Sequence, residues 1–228
     1  MYHMIISHEH KFIFIKTAKT GGSTIENILG QHLGPRDVAS GSAYLDSKVV
    51  SPTVKRNWKE IDYPDELGGY SHLPASLVYE KFFNGQRPKD YFVFTIERNS
   101  YDKAVSHWWW HTHSKRLIKK MSPSGVDFRE HLTRLIQTPE NNHPSCWRRY
   151  ADEGICIDHV YQYAEWEEMF KDLSKRFNLE IDMNSTRSIK LKDSNKPFSN
   201  YREAYKNNEQ ELVEQLFVQE IKHFNYKF

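Results

Sequence analysis

The sequence has little cysteine, no long apolar run and no recognisable leader, and each absence excludes a class of protein. Cys146 and Cys156 are its two cysteines, too few for a disulfide framework and without CxxC spacing. We expect free thiols, with a single disulfide as the alternative. No stretch approaches the roughly 18 apolar residues of a membrane span, and "MYHMIISHEHK" lacks the basic and apolar regions of a signal peptide. We therefore expect a cytoplasmic protein.

The sequence is also nearly neutral. Its 32 basic and 30 acidic side chains leave a formal net charge of +2, which is too balanced for nucleic-acid binding through bulk charge. Any basic site must be local, and we expect no nucleic-acid partner. Only 38% of the residues are hydrophobic but 14% are aromatic, so large rings must supply much of the buried surface. The length of 228 residues suits one domain, 1–228.

Strand patterns alternate with helix patterns along the chain. The runs "KFIFIK" (11–16) and "YFVFTIE" (91–97) are apolar and of strand length, and each leads into a helical pattern. Ser100 is the expected N-cap of the second of these helices. The run "DHVYQY" (158–163) predicts a third strand, and 200–224 predicts a final long helix. This alternation predicts a three-layer α/β/α fold around a mostly parallel sheet.

A glycine-rich turn joins the first strand to the first helix in "FIFIKTAKTGGSTIENIL" (12–29). Backbone N–H groups at such a turn, together with the positive end of the helix dipole, form a site for an anion. Glycines let the backbone approach phosphate closely, and hydroxyl and ammonium groups add donors and charge. The residues expected to contact phosphate are Lys16, Lys19, Thr20, Gly21, Gly22, Ser23 and Thr24. The simpler alternative is a tight connection with a serine N-cap and solvated lysines.

The order of residues in this turn differs from that of the nucleoside-triphosphate P-loop. That motif reads G-x-x-x-x-G-K-[ST], with its lysine directly after a glycine. Here Ala18 precedes the lysine, and Lys19 stands before the glycines. A small-molecule kinase that uses ATP and Mg²⁺ stays an alternative from another reaction class, and the failed motif counts against it.

Two motifs resemble those of the sulfotransferase family. "KTAKTGGST" (16–24) resembles the 5′-phosphosulfate loop, P-K-T-G-G-T-S, and "TIERNSYDKAVSHW" (95–108) resembles the 3′-phosphate motif, R-D/N-P-Y-x-R-x-V-S. Ala18 and Ser100 stand where the family usually has proline. The order and setting of the motifs are similar to those of the carbohydrate branch that includes heparan sulfate 2-O-sulfotransferase. This resemblance implies a P-loop-NTPase-like sulfotransferase fold and transfer of a sulfuryl group to a hydroxyl of a glycan or small molecule.

The resemblance also implies a donor and its ligands. The donor would be 3′-phosphoadenosine-5′-phosphosulfate, and no metal would be needed. Lys19 stands at the place of the family's loop lysine, which stabilises charge on the bridging oxygen as the sulfuryl group leaves. Arg98 and Ser106 match the family's 3′-phosphate ligands, and an arginine can bind phosphate in a bidentate way. Lys192 and Lys196 fall where relatives close a loop over the nucleotide.

The acceptor side has a candidate base. "GGYSHLPASL" (68–77) resembles the segment in which the 2-O-sulfotransferase branch carries a catalytic histidine, and His72 matches it. A neutral imidazole can take the acceptor's hydroxyl proton. The simpler interpretation is a loop histidine that bonds to backbone, and Glu26 or Glu97 stays an alternative base.

A stretch rich in tryptophan, histidine and basic residues follows, "HWWWHTHSKRLIKK" (107–120). His107 and His111 are one helical turn apart with His113 near, a spacing found in metal sites. We expect no metal, because Trp and His side chains of a helix more commonly pack in the core or line a cleft. The same aromatic and basic side chains support a third alternative, a non-catalytic module that binds glycans or nucleic acid.

Overall fold

The computed structural model describes residues 4–39, 72–113, 125–137, 144–151, 154, 156–182 and 199–228. Within these ranges the protein is an α/β protein with a five-stranded sheet and eight α-helices. The chain divides into two compact units, one built from 1–97 and 148–191 and the other from 98–147 and 192–228. A single domain over 1–228 stays a prediction. None of the described helices is long and apolar enough to cross a membrane.

The first unit contains the sheet, whose strand order is β3-β1-β2-β4-β5. The strands are β1 (Met4–Ser7), β2 (Phe12–Ile15), β3 (Val38–Ala39), β4 (Phe92–Glu97) and β5 (His159–Gln162). The three strands predicted from the sequence are β2, β4 and β5, and they are confirmed. They pair in parallel, whereas β1 pairs antiparallel with both β2 and β3.

The sheet is therefore mixed, and the prediction of a mostly parallel sheet is corrected. The reason is the short connection between β1 and β2, since a tight turn can join only antiparallel neighbours. Lys11 in this turn has a left-handed backbone, with φ of 56°. The four residues of β1 are too few to show a periodicity in the sequence.

The helices predicted after the first two strands are confirmed, and two predictions about helices are corrected. They are α1 (Gly22–Gly30), α2 (Ala75–Phe82), α3 (Ser100–His113), α4 (Phe128–Gln137), α5 (Trp147–Tyr150), α6 (Trp166–Phe177), α7 (Glu209–Leu216) and α8 (Val218–Phe224). The single helix predicted over 200–224 is wrong. Asn208 has a left-handed backbone and Phe217 a non-helical one, so a 3₁₀ turn and two helices replace it.

The second correction concerns the cap of α3. Ser100 was expected to cap this helix, but it lies inside the first turn. The Asn99 Oδ1 atom accepts a hydrogen bond from the Tyr101 N–H at 3.0 Å, so Asn99 is the N-cap. Asparagine and serine are equally good at this position, which is why the sequence pattern does not separate them.

The core of the first unit explains the apolar run of β2. The side chains of α1 and α6 pack in one cluster with one face of the sheet, and the Phe14 and Phe94 rings of neighbouring strands lie 5.4 Å apart there. Ile13 and Ile15 alternate with Phe14 and are also fully buried. A strand buried on both faces gives a continuous apolar run rather than an alternating pattern. The carboxyl end of β2 thus leads directly from the core into residues 16–21.

The second unit is helical in its described residues. Side chains of α3, α4, α7 and α8 pack in one apolar cluster that includes Leu132, Val213 and Phe217. Between α3 and α4, the His107 Nδ1 and His131 Nε2 atoms form a hydrogen bond of 3.0 Å. The His111 ring lies 4.2 Å from the His107 ring. These histidines therefore pack between helices.

We expect the buried His131 to make the protein less stable in mild acid. The residue is 8% exposed. Burial lowers the pKa of His131 to about 4, and the charges of His111 and Arg134 act in the same direction. The His131 imidazole stays neutral in the folded protein at pH values where it is already protonated in the unfolded chain, which takes up this proton below about pH 6.5. The contribution of His131 to the free energy of unfolding is therefore fully present above about pH 6.5. It decreases as the pH drops toward 4, by roughly 2 kcal/mol between pH 7 and pH 5.

Urea unfolding at pH 7 and pH 5 measures this effect. The matched control is His131→Gln, which keeps a neutral polar side chain beside His107 but cannot take up the proton. The variant should lose about 2 kcal/mol less than the wild type between these pH values. Equal losses in the two proteins would show that His131 does not carry the effect.

Candidate functional site

The candidate site lies at the edge of the sheet where parallel strands end. The carboxyl ends of β2, β4 and β5 share this edge, and in open α/β sheets ligands bind outside the carboxyl ends of strands. Two hydrogen bonds of 2.5 Å join the ends of β2 and β4 there. Thr17 Oγ1 donates to the carbonyl of Ile96, and Thr95 Oγ1 donates to the carbonyl of Ile15. The loop after β2 is therefore fastened to the end of β4 at its first residues.

The backbone of this loop has the form of an anion-binding turn. Lys19 and Gly21 both have left-handed conformations, with φ of 64° and 80°. Left-handed residues that alternate with right-handed ones turn successive N–H groups toward one point. Gly21 is the N-cap of α1, and the N–H of Thr24 donates to its carbonyl at 2.9 Å. The N–H groups of Gly22 and Ser23 precede this bond and lie at the positive end of the helix.

The two glycines are required by the packing of the loop itself. A Cβ atom on Gly21 would lie 2.9 Å from Trp166 Cζ3 and 3.1 Å from the Tyr163 ring. A Cβ atom on Gly22 would lie 2.7 Å from Lys16 Cγ. The sequence did not predict these contacts. They join positions that are distant along the chain or share no periodicity.

Lys16 is held in a buried ion pair. Its Nζ atom lies 2.5 Å from Glu26 Oε2 and 3.1 Å from Ser23 Oγ. The lysine is 4% exposed and Glu26 is fully buried. Burial lowers the pKa of Lys16, and the Glu26 carboxylate acts in the opposite direction. The charge of Lys16 is therefore matched inside the protein, whereas Lys19 is half-buried at the loop.

The two threonines expected at the site differ in their surroundings. Thr20 is fully buried, and its Oγ1 atom shares a hydrogen bond of 2.8 Å with Thr17 Oγ1 and lies 3.2 Å from the Thr17 carbonyl. Its hydroxyl thus stabilises the turn from within. Thr24 is half-buried in the first turn of α1.

The predicted 3′-phosphate residues lie in the second unit. The Arg98 Nε atom donates to Asp102 Oδ2 at 2.6 Å, and Arg98 is 13% exposed. Ser106 is buried one turn further along α3. Asp102 and Ser106 are four residues apart and share one face of α3. Arg98 precedes the helix and bonds to Asp102 on that face. Asp102 was missed in the sequence, although a basic and an acidic residue at this spacing are a signal for such a pair.

The three candidate bases lie in the first unit and differ in exposure. His72 is partly exposed, and its carbonyl accepts a hydrogen bond from the Arg149 guanidinium. Glu97 ends β4, is fully buried, and accepts a hydrogen bond of 3.0 Å from the Tyr150 hydroxyl. Glu26 is equally buried against Lys16. A base must reach the proton that it removes, so the geometry favours His72 over both carboxylates.

The remaining predictions concern the lysines near the C-terminus, the stretch 107–120, the cysteines and a metal site. Lys192, Lys196 and the basic residues of 114–124 lie outside the described residues. His113 stacks on Trp109 with ring centroids 3.5 Å apart, and Cys146 and Cys156 are free thiols, as predicted. In the described ranges no group of three or more His, Cys, Asp or Glu side chains is arranged to hold a metal ion.

Each unit brings some of the predicted site residues into direct contact. Within the first unit the structure brings together Lys16, Ser23 and Glu26, and it fastens the loop to the neighbouring strand. Within the second unit it joins Arg98 to Asp102. The chain matches no protein-family model, no curated protein and no solved structure.

Proposed function

We propose that the protein is a sulfotransferase that moves a sulfuryl group from 3′-phosphoadenosine-5′-phosphosulfate to a hydroxyl of a carbohydrate. One observation carries the proposal, the loop 16–24, in which a buried parallel strand leads through a left-handed lysine and a left-handed glycine to a helix N-terminus. The motif order, with the lysine before the glycines, supports a sulfate donor over a nucleoside triphosphate. The burial of β2 on both faces supports the three-layer, P-loop-NTPase-like fold that we propose with it.

The loop supplies the contacts that such a donor needs. The N–H groups at Gly22 and Ser23 and the hydroxyls of Ser23 and Thr24 would bind the oxygens of the 5′-phosphosulfate. Lys19 would lie beside the oxygen that bridges phosphorus and sulfur. The predicted 3′-phosphate ligands are Arg98 and Ser106.

The reaction is an in-line displacement at sulfur. The acceptor oxygen forms a bond to sulfur while the bond from sulfur to the bridging oxygen breaks, and its electron pair stays on that oxygen. Lys19 stabilises the negative charge that develops there, and this stabilisation acts mainly in the transition state. His72 takes the proton from the acceptor hydroxyl. The products are a sulfate ester and 3′,5′-bisphosphoadenosine.

Isothermal titration calorimetry with 3′,5′-bisphosphoadenosine tests the proposal. We expect binding that EDTA does not change, and weaker binding of 5′-AMP, which lacks the 3′-phosphate. A matched comparison uses Arg98→Ala, which should weaken bisphosphoadenosine binding by about tenfold and leave 5′-AMP binding nearly unchanged. If the wild-type protein binds neither bisphosphoadenosine nor the donor, the proposed function is wrong, and Mg²⁺-dependent ATP hydrolysis would favour a kinase instead.

A further inference from the structure

The buried ion pair between Lys16 and Glu26 fixes the hydrogen-bonding role of Ser23. The Lys16 ammonium has three N–H donors and no acceptor. In its 3.1 Å bond with Ser23 Oγ, the serine oxygen must therefore accept. A serine hydroxyl carries one hydrogen, and this hydrogen must point away from Lys16. The serine is 7% exposed, so its direction is set by the protein rather than by bulk water.

In the part of the chain that the structure describes, no atom accepts a hydrogen bond from the serine hydroxyl. Among the described residues, Lys16 is the one hydrogen-bond partner of Ser23 Oγ. Hydroxyls in other helices do bond to the carbonyl one turn earlier, as Thr112 Oγ1 does to Trp108 at 2.9 Å. Ser23 makes no such bond within the described ranges. Its hydroxyl is therefore available as a donor in the first turn of α1.

The path of the Lys16 side chain is also fixed. Its Cγ and Cε atoms lie 2.7 Å and 3.0 Å from the position that a Cβ would take on Gly22. The stem thus crosses the first residue of α1 and reaches Glu26 one turn further along, at 2.5 Å. The end of β2 and the first turn of α1 are tied together across the loop.

We propose that Lys16 is a positioning residue that, held by Glu26, sets the Ser23 hydroxyl as a hydrogen-bond donor to the bound phosphosulfate. The inference rests on the proposed function for the identity of the ligand. It assigns Lys16 an indirect role in place of the predicted direct contact with phosphate. Since Glu26 already matches its charge, Lys16 adds little attraction for an anion. The loss of Lys16 and the loss of the Ser23 hydroxyl should then weaken ligand binding through the same step.

A set of variants at Ser23 in two backgrounds tests this coupling. In the wild-type background, Ser23→Ala should weaken bisphosphoadenosine binding by about tenfold, and Ser23→Thr, which keeps the hydroxyl, should stay within about twofold. The second background is Lys16→Met with Glu26→Gln, which removes both charges and leaves neither buried alone. In this background serine, threonine and alanine at position 23 should bind the ligand about equally.

The outcomes separate the inference from the proposed function. An equal effect of Ser23→Ala in both backgrounds would show that Lys16 does not act through the serine. If the second background does not fold, Ser23→Ala alone still decides, because unchanged affinity overturns the inference. The same series is titrated with inorganic pyrophosphate. A wild-type protein that binds pyrophosphate but not bisphosphoadenosine contradicts the proposed function and still tests the inference, and binding of neither overturns both.

Discussion

Replacing Lys19 with alanine is expected to lower the rate of sulfuryl transfer by about 10²–10³-fold, the usual cost of removing one fixed group that stabilises transition-state charge. The effect should fall on kcat, because in the proposed reaction Lys19 faces charge that develops only as the bond to sulfur breaks. Transfer is measured with a labelled sulfate donor and the best acceptor from a screen of glycans. Lys16 cannot replace the lost charge, because it is paired with Glu26 at 2.5 Å.

A matched control removes a second lysine with the same backbone conformation. Lys19 has φ of 64°, and this left-handed conformation costs about the same for lysine as for alanine, because both carry a Cβ atom. Lys11 has a similar φ of 56° and lies in the turn at the opposite end of β2. Lys11→Ala therefore makes the same side-chain change at a similar backbone conformation outside the loop, and it should leave transfer nearly unchanged. A Lys19→Ala protein with more than a tenth of the wild-type kcat would contradict the role given to Lys19.

The second large effect concerns stability. Glu26→Gln is expected to lower the free energy of unfolding by about 3–5 kcal/mol, because it leaves the Lys16 ammonium buried without its carboxylate. The pair is 4% and 0% exposed, so water does not screen it. Urea unfolding followed by circular dichroism measures the change.

Two comparisons show whether the cost comes from the unpaired charge. Glu80→Gln removes the carboxylate of a surface pair, in which Glu80 is 63% exposed and lies 3.7 Å from Lys81, and it should change stability by less than about 1 kcal/mol. Adding Lys16→Met to Glu26→Gln should recover most of the loss, since two neutral side chains need no partner. A double variant less stable than Glu26→Gln would show that packing rather than charge dominates.

The sequence predicts strands and helices better than it predicts the contacts between them. The strands β2 and β4 were predictable because burial on both faces leaves apolar runs that few other structures give. By contrast, β3 has only two residues and carries no periodic signal. The break at Phe217 depends on tertiary packing, since its side chain is fully buried in the apolar cluster of the second unit. Local propensity is a weak prior against such packing.

The same limit applies to the loop. The glycines and hydroxyls of 16–24 predict an anion-binding turn because their chemistry is local. The pairing of Lys16 with Glu26 is not local in this sense, because a strand end and the second turn of a helix share no periodicity. The sequence therefore predicts that Lys16 binds phosphate, although the structure pairs it with a carboxylate.

The hydrogen bonds that fasten the loop also bear on the entropy of binding. Thr17 is tied to Ile96 and Thr95 to Ile15, each at 2.5 Å, and Lys16 crosses to Glu26. A loop held at Lys16 and Thr17 has lost backbone freedom on folding, so the proposed donor need not order it on binding. Such preorganisation leaves more of the interaction energy as affinity. If the loop binds the proposed donor, its rigidity would make it distinguish anions by the positions of their oxygen atoms rather than by charge alone.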